Sequence, residues 1–232
     1  IITKKDTDGI ELTWGNHRAM IAMLEKLAKR EGLGDILADG VKVAAEKIGK
    51  GAEKYAVHIG GQEVGMHDPK LPMWPGQQAI SRYQMDATPG RHTQDFGPPS
   101  FGGHITNVVG MCLFSGMATG QESGRFVEEF LSAVTGLKRS TPELHKIGER
   151  IANMRHAFNL REGINERKWK VHPRILGTPP QTKGPLSGVT CDLEGEVERN
   201  LKKLDWDLKT TKPSKRKLLE LGLDDVAKDL WP

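Results

Sequence analysis

The sequence predicts an all-α protein, multihelical and divided into two helical domains. Apolar residues recur at three- and four-residue spacings along most of the chain, the period of a helix with one buried face. Asn, Asp and Ser stand just before several of these runs and Gly just after them, as helix caps do. The first two runs are joined by a very short connection, as expected of packed neighbouring helices.

Asn16 is placed to cap a first helix whose stripe is Met20, Met23, Leu24 and Leu27, ending near Gly32. Asp35 then caps a second, with Ile36, Leu37, Val41, Ala44, Ala45 and Ile48 on one face and Gly49 as its stop. From Tyr55 to Met73 the period breaks, and Gly60-Gly61, Gly65, Pro69 and Pro72 predict irregular or locally extended chain. A helix over about 77–85 leads into Ala87-Thr88-Pro89-Gly90-Arg91-His92. Residues 95–103 hold two prolines and three glycines, which sets a domain boundary there and domains at 1–100 and 101–232.

Helix returns in the second half. Ile105, Val108, Val109, Cys112 and Leu113 share a face, which would turn Cys112 inward from a buried segment. A helix over 124–135 carries Phe126, Val127, Phe130, Leu131 and Val134 and stops at Gly136. Ser140-Thr141-Pro142-Glu143 is a helix start, with Leu144, Ile147, Ile151, Met154 and Phe158 lining the face that follows. The Pro and Gly content of 165–188 predicts a surface excursion packed by Trp169, Ile175 and Leu176. Two further helices follow over 194–204 and 214–221.

Composition narrows the class. With 232 residues, 37% hydrophobic and 28% charged, the chain suits a folded globular protein and not a disordered one. Its apolar runs are too short for a membrane span, and its first residues have no signal-peptide core, so it reads as cytoplasmic. The net charge of +4 is spread along the chain, and the basic stretch from Lys212 to Lys217 lacks the interleaved aromatics of a nucleic-acid surface. Two cysteines make no disulfide framework, and Cys191 has no ligand-like neighbours.

Cys112 has a chemical setting. The segment Asn107-Val108-Val109-Gly110-Met111-Cys112 resembles the Asp-x-x-Gly-Leu-Cys motif of the tungsten-containing aldehyde:ferredoxin oxidoreductase family. The likeness extends through Lys4–Gly15, Arg30–Val41, Ala45–Glu53, Gly148–Ile151, Phe158–Gly163 and Lys217–Ala227, in the family's order and spacing. It implies the two C-terminal helical domains of that family, without its N-terminal β domain. It also implies that Cys112 ligates a [4Fe-4S] cluster beside a bis-pterin carrying tungsten or molybdenum. A cluster takes four thiolates, so the other three are expected upstream of Ile1, in the N-terminal region that is this chain's first partner.

The resemblance assigns further residues. Asn107 replaces the family's Asp, which bonds pterin ring nitrogens; an amide can accept from a ring N–H, but without charge assistance. Gly110 permits close approach of backbone to a flat ring, and Met111 offers apolar packing and a backbone group. His92, near Gly90-Arg91, matches a histidine that holds an iron between subunits in some members, so a homo-oligomer is among the implied partners. The family also sets a histidine near its metal. His104, three residues before Asn107, is the candidate for that proton-handling role, with His67 as the alternative. Arg82 and Arg91 are candidates for an anionic group. Arg150, Arg155, Arg161 and Glu162 match family signatures and are expected to pair across helix contacts.

The function implied is oxidation of aldehydes to carboxylic acids, with electrons leaving through the cluster to ferredoxin. A family branch acting on aromatic acyl-CoA thioesters is one alternative. A non-catalytic helical scaffold that kept the fold is another. The isolated chain is expected to be inactive under every reading.

Overall fold

The computed structural model describes residues 2–71, 80–91, 101–112, 114 and 123–232, with backbone alone at 123–126. The described elements are α1 (His17–Lys29), α2 (Leu33–Leu37), α3 (Val41–Ile48), a hairpin of β1 (His58–Ile59) and β2 (Gln62–Glu63), and α4 (Ile80–Met85). They continue as α5 (Gly102–Val108), α6 (Ser123–Thr135), α7 (Thr141–Arg161), α8 (Pro173–Leu176), α9 (Leu193–Leu204), α10 (Lys215–Glu220) and α11 (Asp224–Leu230). Among the described residues the fold is all-α apart from that one antiparallel pair, in which His58 faces Glu63 and Ile59 faces Gln62.

Asn16 caps α1 as its position suggests, its side-chain oxygen accepting from the Ala19 amide at 3.2 Å. The α1 stripe is only partly buried. Met23 is covered, whereas Met20 and Leu24 are exposed and line an open apolar cleft of about 590 Å³ with Leu12 and Trp14. The second expected helix is two. Gly40, at φ 86° and ψ 163°, separates α2 from α3, and Asp35 lies inside the first turn of α2 while Gly32 holds the cap position. The cap of α3 comes from the hairpin, where a Glu63 carboxylate oxygen accepts from the Val41 amide at 2.7 Å. A β-carbon on Gly34 would lie 2.3 Å from the Lys26 backbone, so only glycine lets α2 approach α1 this closely.

Helix α7 is the spine of the second half. Ser140 and Glu143 form a capping box at its start, the Ser140 amide donating to Glu143 at 2.8 Å. Its buried line is Leu144, Gly148, Ala152, Asn153, His156 and Ala157. Met154 and Phe158, expected inside, are exposed. The reason is polar: Asn153 and His156 face inward because Trp206 and the Thr211 carbonyl give them hydrogen-bond partners. Small residues at 148, 152 and 157 let neighbouring elements close on the helix.

Four apolar clusters hold the fold. One joins Met85 and Phe101 to Ala152, Val197, Leu201, Leu204 and Trp206. A second ties Ala157 to α10 and α11, and a third sets Ile59, Ile80 and Tyr83 against Ile175, with Trp169 and Leu176 packed on it. The fourth joins Ile105, Val127 and Leu144.

The boundary expected at 95–103 lies mostly outside the described residues. Either side of it, α4 is bound into the second half. Ser81 Oγ donates to Glu196 at 2.6 Å, Gln84 to the Trp169 carbonyl at 2.8 Å, and Asn159 to the Ala87 carbonyl at 3.1 Å. No described helix is long and apolar enough to cross a membrane.

Candidate functional site

Helix α5 and the four residues after it carry most of the candidate residues, and the two ends of the helix are fixed in different ways. At its start, Phe101 takes a left-handed φ of 49° while buried in the core, a conformation a bulky side chain adopts only when its surroundings hold it there. Gly148 of α7 explains the hold. A β-carbon at that position would meet the Phe101 carbonyl at 2.7 Å and its Cβ at 2.8 Å.

At its end, α5 closes in a Schellman motif. The Met111 amide donates to the Thr106 carbonyl at 3.0 Å, and the Gly110 amide to Asn107 at 3.2 Å. Gly110 takes the left-handed position at φ 73°. Met111 packs on the cluster of Ile105, Val127 and Leu144, the apolar contact that goes with this cap. The Gly-Met-Cys spacing therefore has a local cause: glycine reverses the chain, methionine anchors the reversal, and the cysteine leaves it.

That geometry corrects one expectation. Helix ends at Val108, before Cys112, and Cys112 is exposed and not turned into the core. Val108 is 66% exposed and Phe114 61%, so the rim beside the thiol is apolar and uncovered by described residues. Asn107 is exposed on the last turn, and a β-carbon on Gly110 would meet no described atom within 4 Å. Asn107, Gly110 and Cys112 thus form an outward-facing ridge.

His104 lies on the inner side of the same helix, 3% exposed. The Arg155 guanidinium approaches its Nδ1 at 3.4 Å. Because guanidinium only donates, Nδ1 is the accepting nitrogen and Nε2 carries the proton. Arg155 also donates to Thr88 Oγ1 at 3.0 Å and reaches Asp86 at 3.5 Å, while Asp86 accepts from the Thr88 amide at 2.9 Å. His104, Asp86, Arg155, His156 and Trp206 line a cavity of about 10 Å³, room for a single water. His104 is thus buried one turn before the exposed Asn107.

The other candidates are dispersed. His92 lies outside the described residues. His67 is exposed, its carbonyl accepting from Tyr83 Oη at 3.0 Å. Arg91 lies against the Gln62 amide, which with its oxygen turned toward the guanidinium accepts from Nη2 at 2.7 Å and Nε at 2.9 Å. Arg82 lies near the Glu196 carboxylate. Arg150 donates to the Leu221 carbonyl at 2.6 Å, so it and Arg155 pair across helices as expected. Arg161 pairs with its neighbour Glu162 on the surface and lies over the Phe158 ring at 5.1 Å. Cys191 is half-buried, and burial pushes its thiol up to about 11.

Sequence reasoning missed Asp86, Thr88, Gly148 and the buried pair His156 and Glu166. Gly148 falls in the Gly148–Ile151 run, but nothing in that run shows its contact; all these roles depend on contacts between separate segments. Among the described residues no group of three or more His, Cys, Asp or Glu is gathered to hold a metal. The ridge presents one exposed thiol and one exposed amide.

The family described as "Aldehyde ferredoxin oxidoreductase, domains 2 & 3" matches residues 1–100 and 102–223. The tungsten-containing aldehyde ferredoxin oxidoreductase of Pyrococcus abyssi is 29% identical over 91% of this chain and 38% of its own length. That of Pyrococcus furiosus is 27% identical over 93% of the chain, and an aliphatic sulfonate oxidoreductase, WOR-like subunit, from the same organism is 29% identical over 99%. The active-site complex BamBC of benzoyl coenzyme A reductase, solved with 1,5-dienoyl-CoA, superposes with a TM-score of 0.63 at 22% identity over 99% of the chain, a likeness of fold. The chain spans 38% of the length of these curated relatives. With a family match over nearly every residue and the same helical fold, the chain belongs to the aldehyde ferredoxin oxidoreductase family, spanning its domains 2 and 3.

Proposed function

We propose that this chain is the helical part of a tungsten- or molybdenum-pterin oxidoreductase that oxidises an aldehyde to a carboxylic acid and passes electrons to ferredoxin through a [4Fe-4S] cluster. The single observation that carries this reading is Cys112, presented to the outside at the exit of the α5 cap with Asn107 beside it. When bound, the metallopterin supplies two-electron chemistry, in which aldehyde and water give acid, two protons and two electrons.

The chain's own residues do the rest. Cys112 contributes one thiolate of four, held by a capped helix end. The Asn107 amide accepts from a ring N–H or donates to a ring nitrogen, and Gly110 leaves room for a flat ring to approach the backbone. Arg155 holds His104 with its proton on Nε2, available to a proton-handling role. The three remaining thiolates belong to the N-terminal region, which makes that region an obligate partner.

The test is the full-length polypeptide, purified without oxygen from cells supplied with tungstate or molybdate. Aldehyde-dependent reduction of ferredoxin is the expected result. Aromatic acyl-CoA is the second substrate class to assay, since the BamBC neighbour holds a dienoyl-CoA. A protein that acquires neither metal nor cluster would support a non-catalytic helical scaffold instead. The chain alone is expected to be inactive and to retain no stable cluster; finding a full complement of iron and labile sulfide per chain would contradict this.

A further inference from the structure

Two histidines far apart in sequence, His58 and His172, each use Nδ1 to accept a backbone N–H. His58 Nδ1 accepts from the Gly61 amide at 3.3 Å, closing the β1–β2 turn on itself. His172 Nδ1 accepts from the Arg174 amide at 3.1 Å and so caps α8, a position ordinarily taken by Ser, Thr, Asp or Asn. The Nε2 of His172 lies 3.0 Å from the Lys54 carbonyl, which only accepts, so that nitrogen carries the proton and the ring is neutral. Both amide bonds need a lone pair on Nδ1. An imidazolium has none, and would set one N–H against another.

The two rings stand on one seam. On one side are α1–α3, joined to the hairpin where Glu63 accepts from the Val41 amide at 2.7 Å. On the other, Ile59 of β1 packs with Ile80, Tyr83 and Ile175, the last from α8. The turn at Gly60 fits closely, since a β-carbon there would lie 3.0 Å from both Pro89 and Trp169. The Gly65 amide donates across to the Gly90 carbonyl at 3.1 Å, and His172 itself reaches back to Lys54, just beyond α3. The charged groups facing His58 are Lys42 and Glu46 of α3, Glu63 of β2, and His172. Burial first, and Lys42 next, hold the His58 imidazole below its ordinary value, against Glu63 and Glu46, which pull it up. His172 faces His58, the Lys54 carbonyl and the Arg174 amide, and a charge on either ring opposes a charge on the other.

We propose that His58 and His172 form an acid-sensitive latch, in which protonation of the two rings opens the β1–β2 turn and uncaps α8, loosening α1–α3 from the rest of the chain. A ring that the fold keeps neutral stabilises it above the ordinary histidine range. That contribution is lost as pH falls through the lowered folded value. The latch stands on these backbone bonds and does not depend on the oxidoreductase reading.

The test is a pH titration of the full 232-residue chain by nitrogen-resolved NMR of the rings, with amide exchange corrected for its intrinsic pH dependence. At neutral pH both rings are expected as Nε2–H tautomers. Through their titration the Gly61, Arg174 and Gly65 amides should lose protection together, by about three- to tenfold, as for loss of one hydrogen bond. The Ala19 amide, held by Asn16, which does not titrate, should keep its protection. His58→Asn combined with His172→Asn offers an amide oxygen in place of each Nδ1 and should keep all three amides protected in acid. Protection at Gly61 and Arg174 that survives protonation of both rings overturns the latch, and so does equal loss in the double variant. Gly65 staying protected while Gly61 and Arg174 open also overturns it, because the seam would then be unaffected. Should the double variant fail to fold, the wild-type titration against Ala19 decides.

Discussion

Two thiols in one chain divide cleanly by surroundings. Cys191 packs on the cluster of Ile59, Ile80, Tyr83 and Ile175, and burial pushes its thiol up to about 11, which leaves little thiolate at neutral pH. Cys112 is exposed at the end of a helix cap. An alkylating reagent at neutral pH should therefore label Cys112 first, and peptide mapping that found Cys191 labelled first would contradict the assignment. The choice of Cys112 was legible in the sequence, because the Asn-x-x-Gly-Met-Cys order is a local pattern. Its exposure was not. The periodicity of Ile105, Val108 and Val109 continues past the point where Gly110 ends the helix, and only the Schellman bonds show the stop. His104 beside Asn107 was legible as a candidate, but its partner Arg155 lies 51 residues away and carries no signal of contact.

At the scale of elements, glycines set the position of α5 at both ends. Gly148→Ala forces a methyl against the Phe101 backbone and should cost about 1–3 kcal/mol. Gly110→Ala meets no described atom, and the left-handed conformation should cost about 1–2 kcal/mol. Denaturant unfolding of the two variants measures this, and a Gly148→Ala protein as stable as wild type would refute the close-packing account.

The joint between α4 and α9 makes a pH prediction. Burial pushes the Glu196 carboxyl above its ordinary range, against hydrogen bonds from Ser81 that pull it down. A carboxyl that holds its proton more tightly when folded favours the fold in acid, and that contribution is lost as pH rises through the raised folded value. Glu196→Gln cannot titrate, so its stability should gain on wild type from the ordinary carboxyl range upward. A constant difference between acid and neutral pH would contradict the sign. Helix existence was read correctly from periodicity in most places. What periodicity missed was the split at Gly40 and the inward face of α7, where Asn153 and His156 are buried because loop 205–214 satisfies them.

For the whole molecule, the domain pattern and the exposed ridge point the same way. The chain spans domains 2 and 3 of its family and 38% of its relatives' length, and its one motif cysteine faces outward beside an uncovered apolar rim. On the function proposed above, such a ridge would complete a site begun by the rest of the polypeptide. The most direct measurement is the cluster's EPR signal and iron content in full-length protein carrying Cys112→Ala, with Cys191→Ala as control. The cluster should be lost or degraded in Cys112→Ala while helicity stays close to wild type, because removing one exposed small side chain costs little stability. Cys191→Ala should keep the cluster. A Cys112→Ala protein with wild-type EPR signal and iron would contradict the assignment of Cys112 as the fourth ligand.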